Sequence, residues 1–209
     1  MTDTTPAVEP FYPHRPINGG NPEIFGFGFG YDAEGWVVET KLDGNRVIVH
    51  LPTGVVYNRK GALYSSDHLI RASVRKLQAR MKPWASTLGK DGNRLFEWID
   101  CEALVNKGHG AGAGSLVVID VVTEGNLDDR AHFFHHIKPF PLTGVAAPDS
   151  LYRMPRVPLR KGKQLWNRIV RSGDHLYEGV ILKRRNSPYV ANWTNAAKES
   201  SSWVKFRFR

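Results

Sequence analysis

The sequence predicts an α+β fold of antiparallel sheets flanked by helices, on two observations. Short strand-like runs outnumber helical ones, and the two kinds do not alternate as strict βαβ units. The chain has 209 residues, 41% hydrophobic and 23% charged. That suits one domain able to bury a core without disulfides or structural metals. Cys101 is the single cysteine, which excludes a disulfide framework or Cys-rich zinc site and fits a reducing compartment. No apolar run approaches the roughly 18–20 residues of a bilayer span. The N-terminus lacks a basic region followed by an apolar one. The expectation is a soluble cytoplasmic monomer without membrane contact, a bacterial or viral nucleoid setting included. Lys+Arg 29 against Asp+Glu 20 gives a net charge of +9, and such a surface attracts polyanions.

Taken in order, residues 1–30 carry Pro6, Pro10, Pro13, Pro16 and Pro22 and a glycine-rich stretch without sustained period, and read as an irregular arm. Its GFGFG lacks the spacing and flanking elements of a nucleotide loop. Residues 31–209 form the domain. WVVETKL, NRVIVHL and GVVYNRKGALY, separated by DGN and PTG, read as an antiparallel meander. SSDHLIRASVRKLQARM follows as a serine-capped helix, with Ile70, Val74, Leu77 and Met81 at helical spacing and its basic residues on other faces. Past GKDGN, RLFEWIDCEALV and SLVVIDVV are strands joined by NKGHGAGAG. DDRAHFFHHIKPF and GKQLWNRIVRSG are further helices. YEGVILKRR and SWVKFRF close the chain as strands around the polar loop NSPYVANWTNAAKESS.

The first strand ends in ETKLDGNRV, with Lys41, Asp43, Gly44 and Arg46 in one short window. Alone, DGN between strands is good hairpin chemistry. Other pieces follow in order: RKG at Arg59–Gly61, IDCEAL around Glu102, VVIDVV around Asp120, EGVILK from Glu178 and WVKFR around Lys205. Together they resemble the motifs of the covalent nucleotidyltransferase superfamily, the ATP-dependent DNA and RNA ligases and mRNA capping enzymes, whose first motif is K-x-D-G-x-R. EGVILK, the ending SPY…SWVKFR and VIDVVTEGNLDDR look more like DNA ligases than capping enzymes. NAD-dependent ligases fit poorly, because they carry an extra domain before the lysine and a four-cysteine zinc site after it.

The resemblance implies a nucleotidyltransferase (adenylation) fold and an ATP-dependent ligase. Lys41 would take AMP from ATP, AMP would pass to a 5′-phosphate at a nick in duplex DNA, and the 3′-hydroxyl would displace it. An RNA ligase with the same chemistry is the alternative. A nucleic-acid or nucleotide-binding module with impaired catalysis is another. The residue types suit the chemistry, since an unperturbed lysine has a pKa near 10.4 and is almost wholly charged at pH 7. Lys205 and Arg207 would favour the neutral amine and hold the α-phosphate. Glu39, Thr40, Lys41 and Leu42 would present backbone groups to adenine. Arg46 and Glu102 would clamp the ribose, with a strand-end ion pair as the plain reading. Glu178, with Glu102, would hold Mg²⁺, which takes oxygen ligands. Arg59, beside Lys60, would meet the phosphate of the nick, with an ordinary surface turn as its plain reading.

Two positions depart from the family pattern. Ile119 stands before Asp120 where many ligases place an aromatic over adenine, and Arg207 replaces a lysine, a planar fork in place of a point charge. His132, His135 and His136 have partial metal spacing but lie in an ordinary helical run without a carboxylate motif. Cys101 and most tryptophans read as core; Trp193 lies in a polar loop. The last motif ends at Arg207. This implies a bare catalytic domain without the usual OB-fold domain, leaving its own charge, the arm or a partner protein to grip DNA.

Overall fold

The computed structural model describes residues 11–20, 31, 33–85, 97–105, 112–142, 146–191 and 199–208. GFGFG, GKDGN and Trp193 lie outside them. Among the described residues, ten strands and three α-helices follow in the order β1 (Arg15–Asn18), β2 (Trp36–Leu42), β3 (Asn45–His50), β4 (Val56–Asn58), α1 (Asp67–Ala85), β5 (Trp98–Leu104), β6 (Ser115–Val121), α2 (Leu127–His132), β7 (Leu151–Arg153), β8 (Arg156–Pro158), α3 (Gly162–Ser172), β9 (Tyr177–Arg184) and β10 (Glu199–Arg207). They build two five-stranded sheets. The first has the order β1-β10-β9-β2-β8 and the second β4-β3-β5-β6-β7. Most neighbours are antiparallel, whereas β1–β10 and β6–β7 are parallel.

The expected meander over the first strands does not form. β3 pairs with β4 and β5, but β2 belongs to the other sheet, between β9 and β8. The reason is where the backbone donors of the DGN segment go. Asp43 N–H donates to the Leu176 carbonyl at 2.8 Å and Gly44 N–H to Glu102 Oε1 at 3.1 Å. Neither donor is left to close a hairpin, so the chain leaves one sheet and enters the other.

Each of the two longer helices covers one sheet. On α1, Ile70, Val74, Leu77 and Met81 are buried against Val47, Val49, Ile99, Cys101, Val118 and Val121 of the second sheet. On α3, Leu165, Trp166 and Ile169 cover Val38, Leu42, Val180, Leu182, Val204 and Phe206 of the first. The helix expected over DDRAHFFHHIKPF is shorter than its pattern. Asn126 caps it, accepting from Asp128 and Asp129 N–H, but past His132 the amides of Phe133, Phe134 and Ile137 bond three residues back, in tighter turns.

A third cluster fills the space between the sheets. Ile48, Tyr57, Trp98 and Ile119 of the second sheet meet Trp203 and Ile181 of the first, with Phe11 and Tyr189 between them. Here part of the stretch expected to be irregular is ordered: β1 pairs with β10, and Phe11 stands edge-on to Trp98 at 5.4 Å. His14, 1% exposed, stacks on Trp203 at 4.4 Å.

Candidate active site

The inter-sheet faces carry the polar side chains that the apolar clusters leave over. On the first sheet, Lys41 lies opposite Gly179 of β9, and Gly179 lies opposite Arg207 of β10. Lys41 and Arg207 therefore flank one residue from both sides. The register between β2 and β9 jumps at this point, with Lys41 opposite Gly179 but Leu42 opposite Tyr177. Glu178 is the extra residue of this bulge, and a bulge re-aims a side chain. Its carboxylate forms a close ion pair with the Lys41 amine through Oε2, and the same oxygen lies 3.4 Å from Arg207 Nε. Gly179 makes the bulge sterically feasible. Its φ is +154°, and a Cβ there would sit 1.9 Å from the Phe206 carbonyl oxygen.

Across the gap, Glu102 projects from β5 toward the turn after Lys41. It accepts from Gly44 N–H, and a Cβ on residue 44 would lie 2.8 Å from both the Glu102 Cγ and the Ala103 carbonyl. The glycine thus lets the turn close on the carboxylate. Burial raises the pKa of Glu102 to about 7, against the pull of Lys41 and Arg46. Lys205, one residue pair along from Arg207 and opposite Ile181, has its pKa lowered by burial and by Arg207.

Arg46 and Glu102, expected to clamp the ribose, are register partners on β3 and β5, and they do not form the strand-end ion pair of the plain reading. Arg46 instead binds Asp100, with Nε–Oδ1 at 3.0 Å and Nη2–Oδ2 at 2.5 Å. Asp100 is wholly buried and also accepts from Tyr189 Oη at 2.8 Å. Burial opposes the charge on Arg46, but Asp100 outweighs it and holds the guanidinium above its ordinary pKa. The arginine is fixed with 17% of its side chain exposed, its guanidinium 5.5 Å from the Trp203 ring centre. Among the described residues, Glu102 has no arginine partner of its own.

Of the remaining expected residues, Glu39 is buried and held by Arg156 Nε and Lys183 Nζ, each at 2.7 Å. Its carboxylate is spoken for. Thr40 and Leu42 turn their side chains to the other face of the sheet: Thr40 Oγ1 donates to Met154 Sδ, and Leu42 belongs to the cluster under α3. Ile119 is part of the inter-sheet cluster, and its carbonyl accepts from Lys183 at 3.3 Å. Arg59 and Lys60 are exposed on a turn that Asn58 organises, its Oδ1 accepting from Lys60 and Ala62 N–H, with Gly61 at φ +75°. Because Asn58 lies opposite Val47 in an antiparallel pair, this turn stands beside the end of β3 that bears Arg46.

Sequence reasoning assigned no role to Asp100, Tyr189 or Lys183. Asp100 was legible, since it lies two residues before Glu102 and must share its strand face. Tyr189 comes from a loop far along the chain and had no local signal. Among the described residues, no cluster of three or more His, Cys, Asp or Glu side chains could hold a metal ion unaided. Glu178 and Glu102, one on each sheet, offer the oxygen donors that Mg²⁺ takes when phosphates complete its shell. Lys41, Lys205 and Arg207 supply cations for a polyphosphate beside them. The residues thus fit a magnesium-bound nucleoside triphosphate. No helix among the described residues is long and apolar enough to cross a membrane.

No protein-family model and no curated protein matches the sequence. Solved structures do match. The ligase domain of M. tuberculosis LigD superposes with a TM-score of 0.58 at 20% identity, covering 94% of this chain and 59% of its own. A mycobacterial DNA ligase D complexed with ATP and MES gives 0.57 at 21% identity, covering 95% and 60%. A Lig E DNA ligase gives 0.53 at 11% identity, covering 93% and 68%. This chain therefore spans about three fifths of the first two. Two antiparallel-rich sheets facing each other across Lys41, Glu178 and Glu102, with a helix on each outer side, are the nucleotidyltransferase fold of DNA ligases.

Proposed function

We propose that the protein is an ATP-dependent polynucleotide ligase that seals nicks in duplex DNA through a covalent AMP adduct on Lys41. The observation that carries this reading is the meeting of Lys41, Glu178 and Arg207 around Gly179, with Glu102 facing them from the other sheet. ATP enters as substrate. The Lys41 nitrogen, in its neutral amine form, bonds to the α-phosphorus and sheds one N–H proton to solvent, while the bond from that phosphorus to the bridging oxygen breaks and pyrophosphate leaves. Arg207 and Lys205 hold the phosphate charge that builds up in this step. Glu178 keeps the lysine side chain in place, and Arg46, locked by Asp100, presents its remaining N–H donors to the sugar. Mg²⁺, held by Glu178 and Glu102, would shield the phosphates.

AMP then passes to the 5′-phosphate of a nick, and the 3′-hydroxyl displaces it. DNA is proposed as the substrate because two of the matched structures, the mycobacterial DNA ligase D and the Lig E DNA ligase, are named as DNA ligases. Arg59 and Lys60, exposed beside β3, suit the nick phosphate. The +9 charge suits the duplex backbone. The test is incubation with α-labelled ATP and Mg²⁺. Label bound covalently to wild type and absent from Lys41→Ala is expected, followed by sealing of nicked duplex DNA faster than nicked RNA. Label on Lys41→Ala, or none on wild type, refutes the assignment; faster sealing of RNA transfers it to the RNA ligases.

A further inference from the structure

The solvent side of α3 and of the turn before it bears Arg160, Lys161, Lys163, Arg168 and Arg171, all exposed. No acidic residue occurs between Asp149 and Asp174. Among the described residues, none of the five cations has an ion-pair or hydrogen-bond partner for its side chain. The basic face of α1 is engaged in part: Arg71 pairs with Asp67 at 3.6 Å and Lys76 donates to the Asp149 carbonyl at 2.6 Å, while Arg75, Arg80 and Lys82 are exposed and serve below as the comparison. Arg160 with Lys163, and Arg168 with Arg171, stand at a spacing where like charges repel. Arg160, Lys161 and Lys163 also crowd the helix end where the backbone dipole disfavours cations. Stability of the helix does not account for this distribution.

We propose that this ridge docks the sugar–phosphate backbone of the nucleic-acid substrate, outside the cleft in which the lysine chemistry occurs. The ridge is rigid because Leu165, Trp166 and Ile169 anchor the helix in the core. It also leads to the site. The four residues Gly173–Leu176 join α3 to β9, and the Leu176 carbonyl accepts from Asp43 N–H at 2.8 Å, next to Lys41. From residue 160 to 171 the helix rise spans roughly 17 Å. That matches about five backbone steps at roughly 3.4 Å per strand. An anionic membrane suits the ridge less well, because the apolar side of α3 is already buried and leaves Val170 as its one exposed large hydrophobic residue.

Nucleic acid as the partner rests on the ligase reading, so the experiment measures the two separately. Binding of the full chain to nicked duplex is followed against salt for wild type, for Lys163→Gln/Arg168→Gln/Arg171→Gln on α3, and for Arg75→Gln/Arg80→Gln/Lys82→Gln on α1. Covalent labelling by ATP is measured on the same samples. The α3 variant is expected to lower the slope of log affinity against log salt by about 2.7, at roughly 0.9 per lost phosphate contact. Its labelling should match wild type, and the α1 variant should change the slope by less than about 1. An unchanged slope in the α3 variant overturns the ridge, and so does an equal loss in both variants. A wild type that labels but does not bind duplex, or an α3 variant that loses anionic vesicles and keeps duplex, overturns it as well. Absent labelling alongside the expected slopes refutes the ligase reading and leaves the ridge standing.

Discussion

Replacing Gly179 by alanine tests the geometry on which the candidate site depends. The new Cβ would stand 1.9 Å from the Phe206 carbonyl oxygen and 2.9 Å from Arg207 Cα, whereas real Cβ contacts essentially never fall below 3.0 Å. Both neighbours are backbone of β10, so β9 and β10 must part by about 1 Å, a fifth of the usual strand separation of about 4.8 Å. That stretch weakens the ladder bonds around Gly179 and Arg207, worth about 1 kcal/mol each. Overpacking adds roughly 1–3 kcal/mol. A loss of about 2–4 kcal/mol in urea denaturation is expected. The displaced bulge also carries Glu178 away from Lys41, so covalent labelling by ATP should fall by at least about tenfold, the equivalent of 1.4 kcal/mol. Gly173→Ala is the control, since its φ of +63° is unfavourable but a Cβ meets nothing within 4 Å. It should cost about 1 kcal/mol and leave labelling intact. If Gly179→Ala is as stable as wild type to within about 0.5 kcal/mol and labels normally, the bulge does not aim Glu178 and the site geometry argued above is wrong.

Three further perturbations address the network behind the site. Asp100→Ala strands the Arg46 guanidinium and the Tyr189 hydroxyl together, and removal of one partner from a buried ion pair costs about 3–5 kcal/mol; urea denaturation reads it, and a cost below about 1 kcal/mol would show that Arg46 is not locked. Tyr189→Phe removes one donor to Asp100 but spares the arginine, so it should cost about 1–2 kcal/mol and raise the KM for ATP more than it lowers kcat. His14, buried, has its pKa lowered to about 3 by desolvation and by Arg46 and Lys183. The folded state resists a proton that the unfolded chain takes up near 6.5. The stabilising contribution is therefore present above about pH 6.5 and is lost as pH falls toward 3, at up to about 1.4 kcal/mol per pH unit. In His14→Gln the dependence of stability on pH should be flatter over that interval, whatever its absolute stability; an unchanged profile would show that His14 does not resist protonation.

The fold class and both covering helices were legible because they rest on local period. The apolar face of α1 at Ile70, Val74, Leu77 and Met81 follows from spacing alone, and so does that of α3. The crossing from β2 to β3 was not legible. The same Asp-Gly-Asn that suits a hairpin also suits a sheet change, and the decision lies with two acceptors, the Leu176 carbonyl and Glu102, that are distant in sequence. The ordering of the N-terminal stretch was hidden for the same reason. Its proline-rich text carries no period, while Phe11 and His14 are buried by partners on β5, β10 and the loop around Tyr189.

The harder failure of local reading lies in the site strands themselves. Strict alternation along β9 groups Glu178 with Val180 and Leu182, which face α3, and so turns the carboxylate away from Lys41. Alternation along β6 likewise groups Asp120 with Leu116 and Val118, under α1. Both strands carry an extra residue, Glu178 in β9 and Ile119 in β6, and beyond it the parity reverses. Asp120 thereby comes opposite Asp100 and binds Arg130 at 2.9 Å, and Glu178 reaches the lysine. A bulge is defined by which hydrogen bonds form, whereas a period counts residues, so alternation alone cannot reveal it. Composition gives the indirect sign. Glycine in a strand interior weakens the strand unless close approach requires it, and Gly179 directly follows the carboxylate. An acid followed by glycine within an otherwise apolar strand therefore marks a place where parity should be doubted, and here that doubt falls on the residue that meets the proposed nucleophile.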